Sequence, residues 1–324
     1  MHVGRSGGQD ADAAARAEAS LRSLEAGGLP LAAQERLADL RARGGGFYTS
    51  DLSTNEFLLI REAGFRPVSQ VMGSCYYSIG WQAMPGSRSF GSGFGTASNQ
   101  GFGQANYWTP SAGELYELDV EIEAWREARQ RALGRLAEEA KLAEADAVIG
   151  VRLGRGTHDW SHGMVEFVAV GTAVRSERYD LGGEPVLSNL SGQEFAKLFT
   201  AGYWPVGIVA DTTVLYVLTG WSQKTGTSMF APNQELRDFT QGIQHARRLA
   251  VDRAGREARQ LEAAGMVGVT LDVSQREYER KDANDNDFKD MIVTVHALGT
   301  AIVELAGGED PPIYIALQTN EGST

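Results

Sequence analysis

The chain repeats itself, and this duplication limits its fold more than any single motif does. Leu52, Ser53, Glu56, Phe57, Ala63, Gly64, Pro67 and Val68 recur as Leu190, Ser191, Glu194, Phe195, Ala201, Gly202, Pro205 and Val206, at a constant offset of 138. Further on the offset becomes 118. Ala128, Arg129, Ala132, Arg135, Glu139, Ala140, Glu144, Gly150, Val151 and Leu153 match Ala246, Arg247, Ala250, Arg253, Glu257, Ala258, Glu262, Gly268, Val269 and Leu271. Gly171, Thr172 and Ala173 then match Gly299, Thr300 and Ala301. Each change of offset marks a loop of different length. Two copies of one fold in tandem are expected.

The same local physics operates in each copy. Ser53 with Glu56, and Ser191 with Glu194, form capping boxes, with Leu52/Phe57 and Leu190/Phe195 as hydrophobic staples. Gly64 and Gly202 stand where a left-handed residue ends a short helix. The runs 66–79 and 204–218, rich in Val, Ile, Tyr and Thr, read as strands. A long helix follows. Trp125, Ala128, Ala132, Leu136, Ala140 and Ala143 step by three or four, as do Ile243, Ala246, Ala250, Ala254, Ala258 and Leu261. So many alanines imply a backbone lying close to the sheet it covers. The runs 147–153 and 163–174, then 266–273 and 291–303, read as hairpins. The fold class is α+β: two tandem β-α-β-β domains, each an antiparallel sheet covered by a long helix, preceded by N-terminal helices.

Composition removes several functions. Thirty Lys and Arg against 42 Asp and Glu leave a formal charge of -12, the wrong sign for tracking phosphates, so no nucleic acid is expected. No run approaches the apolar length of a membrane helix, and the start of the chain lacks the apolar core of a secretory signal, so a cytoplasmic protein is expected. A single cysteine, Cys75, excludes an internal disulfide and any paired-cysteine zinc site. Thr213 holds its place in the other copy, so no thiol chemistry is duplicated.

The segments Glu138-Glu139-Ala140, Ala145-Asp146-Ala147-Val148-Ile149-Gly150-Val151 and Gly171-Thr172-Ala173-Val174 resemble the YbjQ-like family, often labelled heavy-metal-binding. Tandem versions also carry the segment seen here as Ser50-Asp51-Leu52-Ser53 through Glu56-Phe57-Leu58 and on to Val71-Met72-Gly73. Copy two departs from the pattern at Ala264-Gly265-Met266-Val267-Gly268. The resemblance implies a β-α-β-β unit shaped like a dodecin subunit, homo-oligomers in a pentamer-like ring, and no established enzyme activity. It divides the chain into a helical, partly disordered lead at 1–46, a first repeat at 47–178, a second at 186–305, and a tail at 306–324.

Four groups of residues are candidates for function. His158, Asp159 and His162 bring two imidazoles and a carboxylate to a hairpin tip, a set that suits a divalent transition metal; the alternative is a solvated polar turn. Asp282, Asn284, Asp285 and Asp287 offer oxygen ligands for a hard cation. An EF-hand would need Gly and Glu where Asp287 and Val293 stand, so a flexible acidic turn is the alternative. The loop 80–112 interleaves Gly and Ser with Trp81, Phe90, Phe94, Phe102, Tyr107 and Trp108, either as disorder or as a segment docking on a protein partner. Arg135/Glu139 and Arg253/Glu257, each four apart, read as ordinary surface pairs. His245 and His296 meet only if helix and strand pack in one particular register. The apolar run 313–317 in the tail reads as an edge strand or a docking peptide.

No nucleophile, acid and base converge in the sequence. The expectation is a non-enzymatic, oligomeric binding or scaffold protein; the alternative is a metal or small-ligand binder using His158 and His162 or a junction between subunits.

Overall fold

A computed structural model of the chain describes residues 7–42, 48–82, 113–158, 163–178, 181, 183–220, 235–281 and 287–305. The lead forms two helices, α1 (Gly7–Glu25) and α2 (Leu31–Ala42). The first unit follows: α3 (Thr54–Glu62), β1 (Phe65–Ser78), a four-residue β2 (Glu114–Glu117), α4 (Asp119–Leu142), β3 (Ala147–His158) and β4 (Met164–Ser176). A two-residue β5 (Val186–Leu187) leads into the second: α5 (Gly192–Thr200), β6 (Tyr203–Leu218), α6 (Arg237–Gln260), β7 (Gly265–Lys281) and β8 (Asp287–Glu304). Short helix, strand, long helix and two strands recur in the expected order, giving a mixed α+β architecture.

The short helices start where the capping boxes place them. Ser53 and Ser191 accept from the amides of Glu56 and Glu194, and the two carboxylates accept in return from the serine amides at 2.8 Å. Gly64 and Gly202 close these helices at φ 87° and 81°, a region where a Cβ would be strained.

Two four-stranded sheets result, ordered β1-β4-β3-β5 and β2-β6-β8-β7. Neither is made by one unit alone. β2, from the first unit, pairs antiparallel with β6, Glu114 opposite Leu218 and Glu117 opposite Leu215. β5, on the approach to the second unit, pairs parallel with Ala147 and Val148 of β3. This corrects the expectation that each copy builds its own sheet: the partner of a short strand is decided by tertiary packing, and these two strands cross over.

The hairpins are longer than 266–273 and 291–303 suggest. Ser274 to Lys281 is polar, but it continues as a ribbon because its residues pair across: Lys289 with Glu277 at 3.1 Å, and Arg280 with Asp290.

The long helices lie close to their sheets, as the alanine stripe predicts. In α4, Trp125, Ala128, Ala132, Leu136 and Ala140 are all buried, as is Ala143 at its C-cap. A Cβ on Gly73 of β1 would stand 2.0 Å from the carbonyl oxygen of Ala132, so glycine sets how near the helix comes. In α6 the alanines are buried but Leu261 is exposed, contrary to expectation. Its counterpart Ala143 is covered by Leu29 and Leu37 of the lead, which has no equivalent over the second unit among the described residues. The main core lies between the units: Trp125 of α4 and Phe167 of β4 pack with Val214, Tyr216, Leu218 and Ile292 of the second sheet.

Candidate functional site at the junction of the two units

Strand crossover brings charged side chains to the junction. Because β2 lies on β6, Glu117 faces α6, and both its oxygens accept from Arg253 Nη2 at 2.8 Å. The first turn of α4 places the buried Glu121 against Arg276 of β7, with both carboxylate oxygens within 2.9 Å of one nitrogen. Arg155 of β3 pairs with Asp272 of β7. Charge-assisted pairs of this kind are the stronger ones, and three of them join the units.

Between these pairs lies a buried layer. Trp125 is edge-on to Phe167, with ring centroids 5.4 Å apart, and edge-on to His296 at 4.7 Å. His296 Nδ1 shares a hydrogen bond of 2.9 Å with the Thr212 hydroxyl. Burial pushes the imidazole pKa down to about 3, with Arg155 and Arg129 adding to the effect. The ring is therefore neutral at pH 7. Asp211 is held above the ordinary carboxylate value by burial, opposed by Arg253 and Arg129. Arg129 is itself lowered by burial, with Glu257 and Asp211 supporting its charge. A neutral imidazole, aromatic rings and mutually paired ions make an arrangement suited to fixing two units together.

The expected surface pairs are not formed, and this is a correction. Glu139 is buried and accepts from the amide of Met72 on the edge strand β1 and from Arg36 of α2, while Arg135 donates to the Ser74 carbonyl. Glu257 accepts from the amide of Ala210 on β6, and Arg253 goes to Glu117. An unpaired strand amide beside a buried carboxylate gains more than two exposed side chains gain from each other. The signal was available: Ala132, Leu136, Glu139 and Ala143 share the i, i+4, i+7, i+11 face, which places Glu139 on the buried stripe. Glu117, Arg276 and Asp211 carry no such local signal.

The other candidates separate. His158 ends β3 opposite Met164, while Asp159 and His162 lie outside the described residues. Asp287 begins β8, exposed, 3.8 Å from Lys281, and Asp282, Asn284 and Asp285 lie outside. Trp81 is exposed beside Gln82, whose side chain accepts from the Val120 amide; Phe90, Phe94, Phe102, Tyr107 and Trp108 lie outside, as does 313–317. His245 is exposed on α6, whereas His296 faces Trp125, so the two do not meet. Cys75 is buried, and burial raises its thiol pKa.

Comparison with known proteins places this geometry. The family described as "Putative heavy-metal-binding" matches residues 112–177, from β2 to the end of β4. The chain is similar to the "Encapsulin nanocompartment protein Rv1762c" of Mycobacterium tuberculosis (strain ATCC 25618 / H37Rv), with 33% identity over 256 residues that cover 78% of this chain and 86% of the relative. No solved structure gives a significant match. The described residues do not fit a heavy-metal site: among them no three His, Cys, Asp or Glu side chains converge. Among the described residues no helix is long and apolar enough to cross a membrane.

Proposed function

The chain belongs to the family of the encapsulin nanocompartment protein Rv1762c, and from that premise we propose that it is a non-enzymatic, self-assembling structural component of a protein nanocompartment in the cytoplasm. One observation carries this reading: three charge-assisted pairs, Arg253/Glu117, Arg276/Glu121 and Arg155/Asp272, are devoted to joining one unit to the other. Such a chain works by presenting surfaces. On this proposal each unit is a YbjQ-like domain, consistent with the match at 112–177 and the recurring element order. Each chain then contributes two units, so a closed ring contains an even number of them, and the pentamer-like ring becomes a ring of chains. Native mass spectrometry of the untagged full chain tests the reading. A multimer with no catalytic cofactor mass is expected; a strict monomer at high micromolar concentration overturns it.

A further inference from the structure

The junction inside the chain is unsymmetrical. The first unit contributes a front, made of β3, the start of α4, and β2. The second contributes a back, made of β5, α5, and the face of β6 and β8 turned away from α6. Since the two units share one element order, the second unit also has a front and the first unit a back. Among the described residues the positions compared below are open on both.

Aligned positions make the asymmetry measurable. On the front, Val151 is 2% exposed while its counterpart Val269 is 44% exposed, and Leu118 is 1% against 42% for Leu236. On the back, Val214 is 0% exposed and its counterpart Tyr76 56%; Ala210 is 6% and Met72 52%. Among the short helices, Ala196 of α5 is buried against α3 while its counterpart Leu58 is exposed. Each of these five open apolar positions, Val269, Leu236, Tyr76, Met72 and Leu58, has a buried twin in the other unit. Removing apolar side chains of this size from water favours association, so several such positions together form a docking surface.

Backbone and charge follow the same logic. Within the chain, the Ser188 amide donates to Val148 at 2.8 Å, its carbonyl accepts from Val151 at 3.0 Å, and Gly150 donates to Leu190 at 2.7 Å. The counterparts are Ser50 and Leu52 on one side, and Met266, Gly268 and Val269 on the other. These last three lie on β7, which ends its sheet as an edge strand. The pair Arg253/Glu117 has the counterpart Arg135/Glu235. Glu235 is exposed; Arg135 donates through its Nη atoms to the carbonyls of Ser74 and Leu24, while among the described residues its Nε is buried with no hydrogen-bond partner, beside a pocket of about 410 Å³ lined by Leu24 and Ala33.

We infer that a second copy of this chain docks head to tail, its first unit's open back (Met72, Tyr76 and the segment at Ser50) covering the open front of the second unit at β7, with Glu235 reaching Arg135. This rests on the self-assembly proposed above and specifies its surfaces. The contact is heterologous, so it propagates and closes into a ring where the rotation allows.

The test uses two full-length variants: Met72→Glu/Tyr76→Glu, which spoils only the back, and Val269→Glu/Leu271→Glu, which spoils only the front. All four positions are exposed, so folding should persist, as judged by circular dichroism. Native mass spectrometry should show each variant as a monomer and an equimolar mixture as a heterodimer and nothing larger, because one intact back meets one intact front. Wild-type-sized assemblies from either variant, or no heterodimer on mixing, overturn the inference while leaving self-assembly standing. A monomeric wild type removes both. Amide exchange on the wild type supplies a readout independent of the variants: Gly268 and Val269 should be protected in the assembly and exchange faster on dilution to monomer, and equal exchange in both states overturns the inference.

Discussion

The Glu139 carboxylate lies 2.9 Å from the Met72 amide, closing one hydrogen-bonding position on the open edge of β1. Glu257 repeats the arrangement on Ala210 of β6 at 3.0 Å. Each long helix thus satisfies a backbone donor of the strand beneath it, on β1 at the sheet edge and on β6 at a position beyond the reach of β2, a polar contact within an otherwise alanine-lined interface. An edge strand with an unmet amide invites wrong pairing, and a helix-borne carboxylate blocks that position.

Glu139→Ala should therefore destabilise the fold by about 1–3 kcal/mol, the cost of a buried amide left without its acceptor. It also releases Arg36 and so loosens α2. Urea unfolding monitored by circular dichroism measures this. Glu139→Gln, which retains an acceptor oxygen, should recover part of the loss. An unchanged midpoint for Glu139→Ala would show that the Met72 amide is satisfied elsewhere.

What the sequence makes legible is what depends on neighbours along the chain. The capping boxes at Ser53 and Ser191, the left-handed Gly64 and Gly202, and the alanine stripe of α4 are set by spacings of three and four residues, and each appears where the residues place it. The duplication itself is equally visible. The destination of β2 is not, because Glu114 to Glu117 could lie on either sheet, and only the packing of Trp125 between the units selects the second. The junction ions are hidden for the same reason: Glu121 and Arg276 are 155 residues apart, and nothing local ties them. Glu139 was readable from its helical face but resembles a surface ion-pair partner when only the distance to Arg135 is considered.

His296 makes stability depend on pH. Its folded pKa, about 3, lies well below the unfolded imidazole value of 6.5. Between those values the unfolded chain binds the proton and the folded chain does not. The contribution is fully present above pH 6.5 and is lost as pH falls toward 3, at up to about 1.4 kcal/mol per unit. Chemical unfolding at pH 7.5, 6, 5 and 4.5 should show a steeper decline for the wild type than for His296→Gln, whose side chain does not titrate. Parallel curves for the two would refute the assignment.

Two glycines, one beneath α4 and one on its open face, should respond in opposite directions to the same change. Gly73→Ala places a methyl 2.0 Å from the Ala132 carbonyl and 2.6 Å from the Leu136 amide, both helix backbone, so α4 must lift off β1. A loss of about 1–3 kcal/mol is expected from overpacking. Gly134→Ala, one turn away on α4 with open space around its Cβ, should gain about 0.5–1 kcal/mol from helix propensity. Differential scanning calorimetry of the two variants decides. Similar shifts in the two melting temperatures would mean that helix and sheet are not in contact at Gly73.

The second sheet holds a fully buried ion pair, Arg280 with Asp290, at the far end of the β7/β8 ribbon. Asp290 also accepts from the Tyr216 hydroxyl at 2.7 Å and the Thr219 amide at 2.8 Å, and Arg280 stacks over Phe288 at 4.7 Å. Burial, with Asp290 alongside, raises the Tyr216 phenol, which keeps it a donor. Arg280→Met should cost about 3–5 kcal/mol, because it strands a carboxylate in a site that water does not reach. Arg280→Met/Asp290→Leu should recover much of that loss, since most of the penalty belongs to the uncompensated charge. A double-mutant cycle of denaturant midpoints measures the coupling. If the single and double variants are equally destabilised, the pair acts through packing over Phe288, and charge compensation is not what holds the ribbon together.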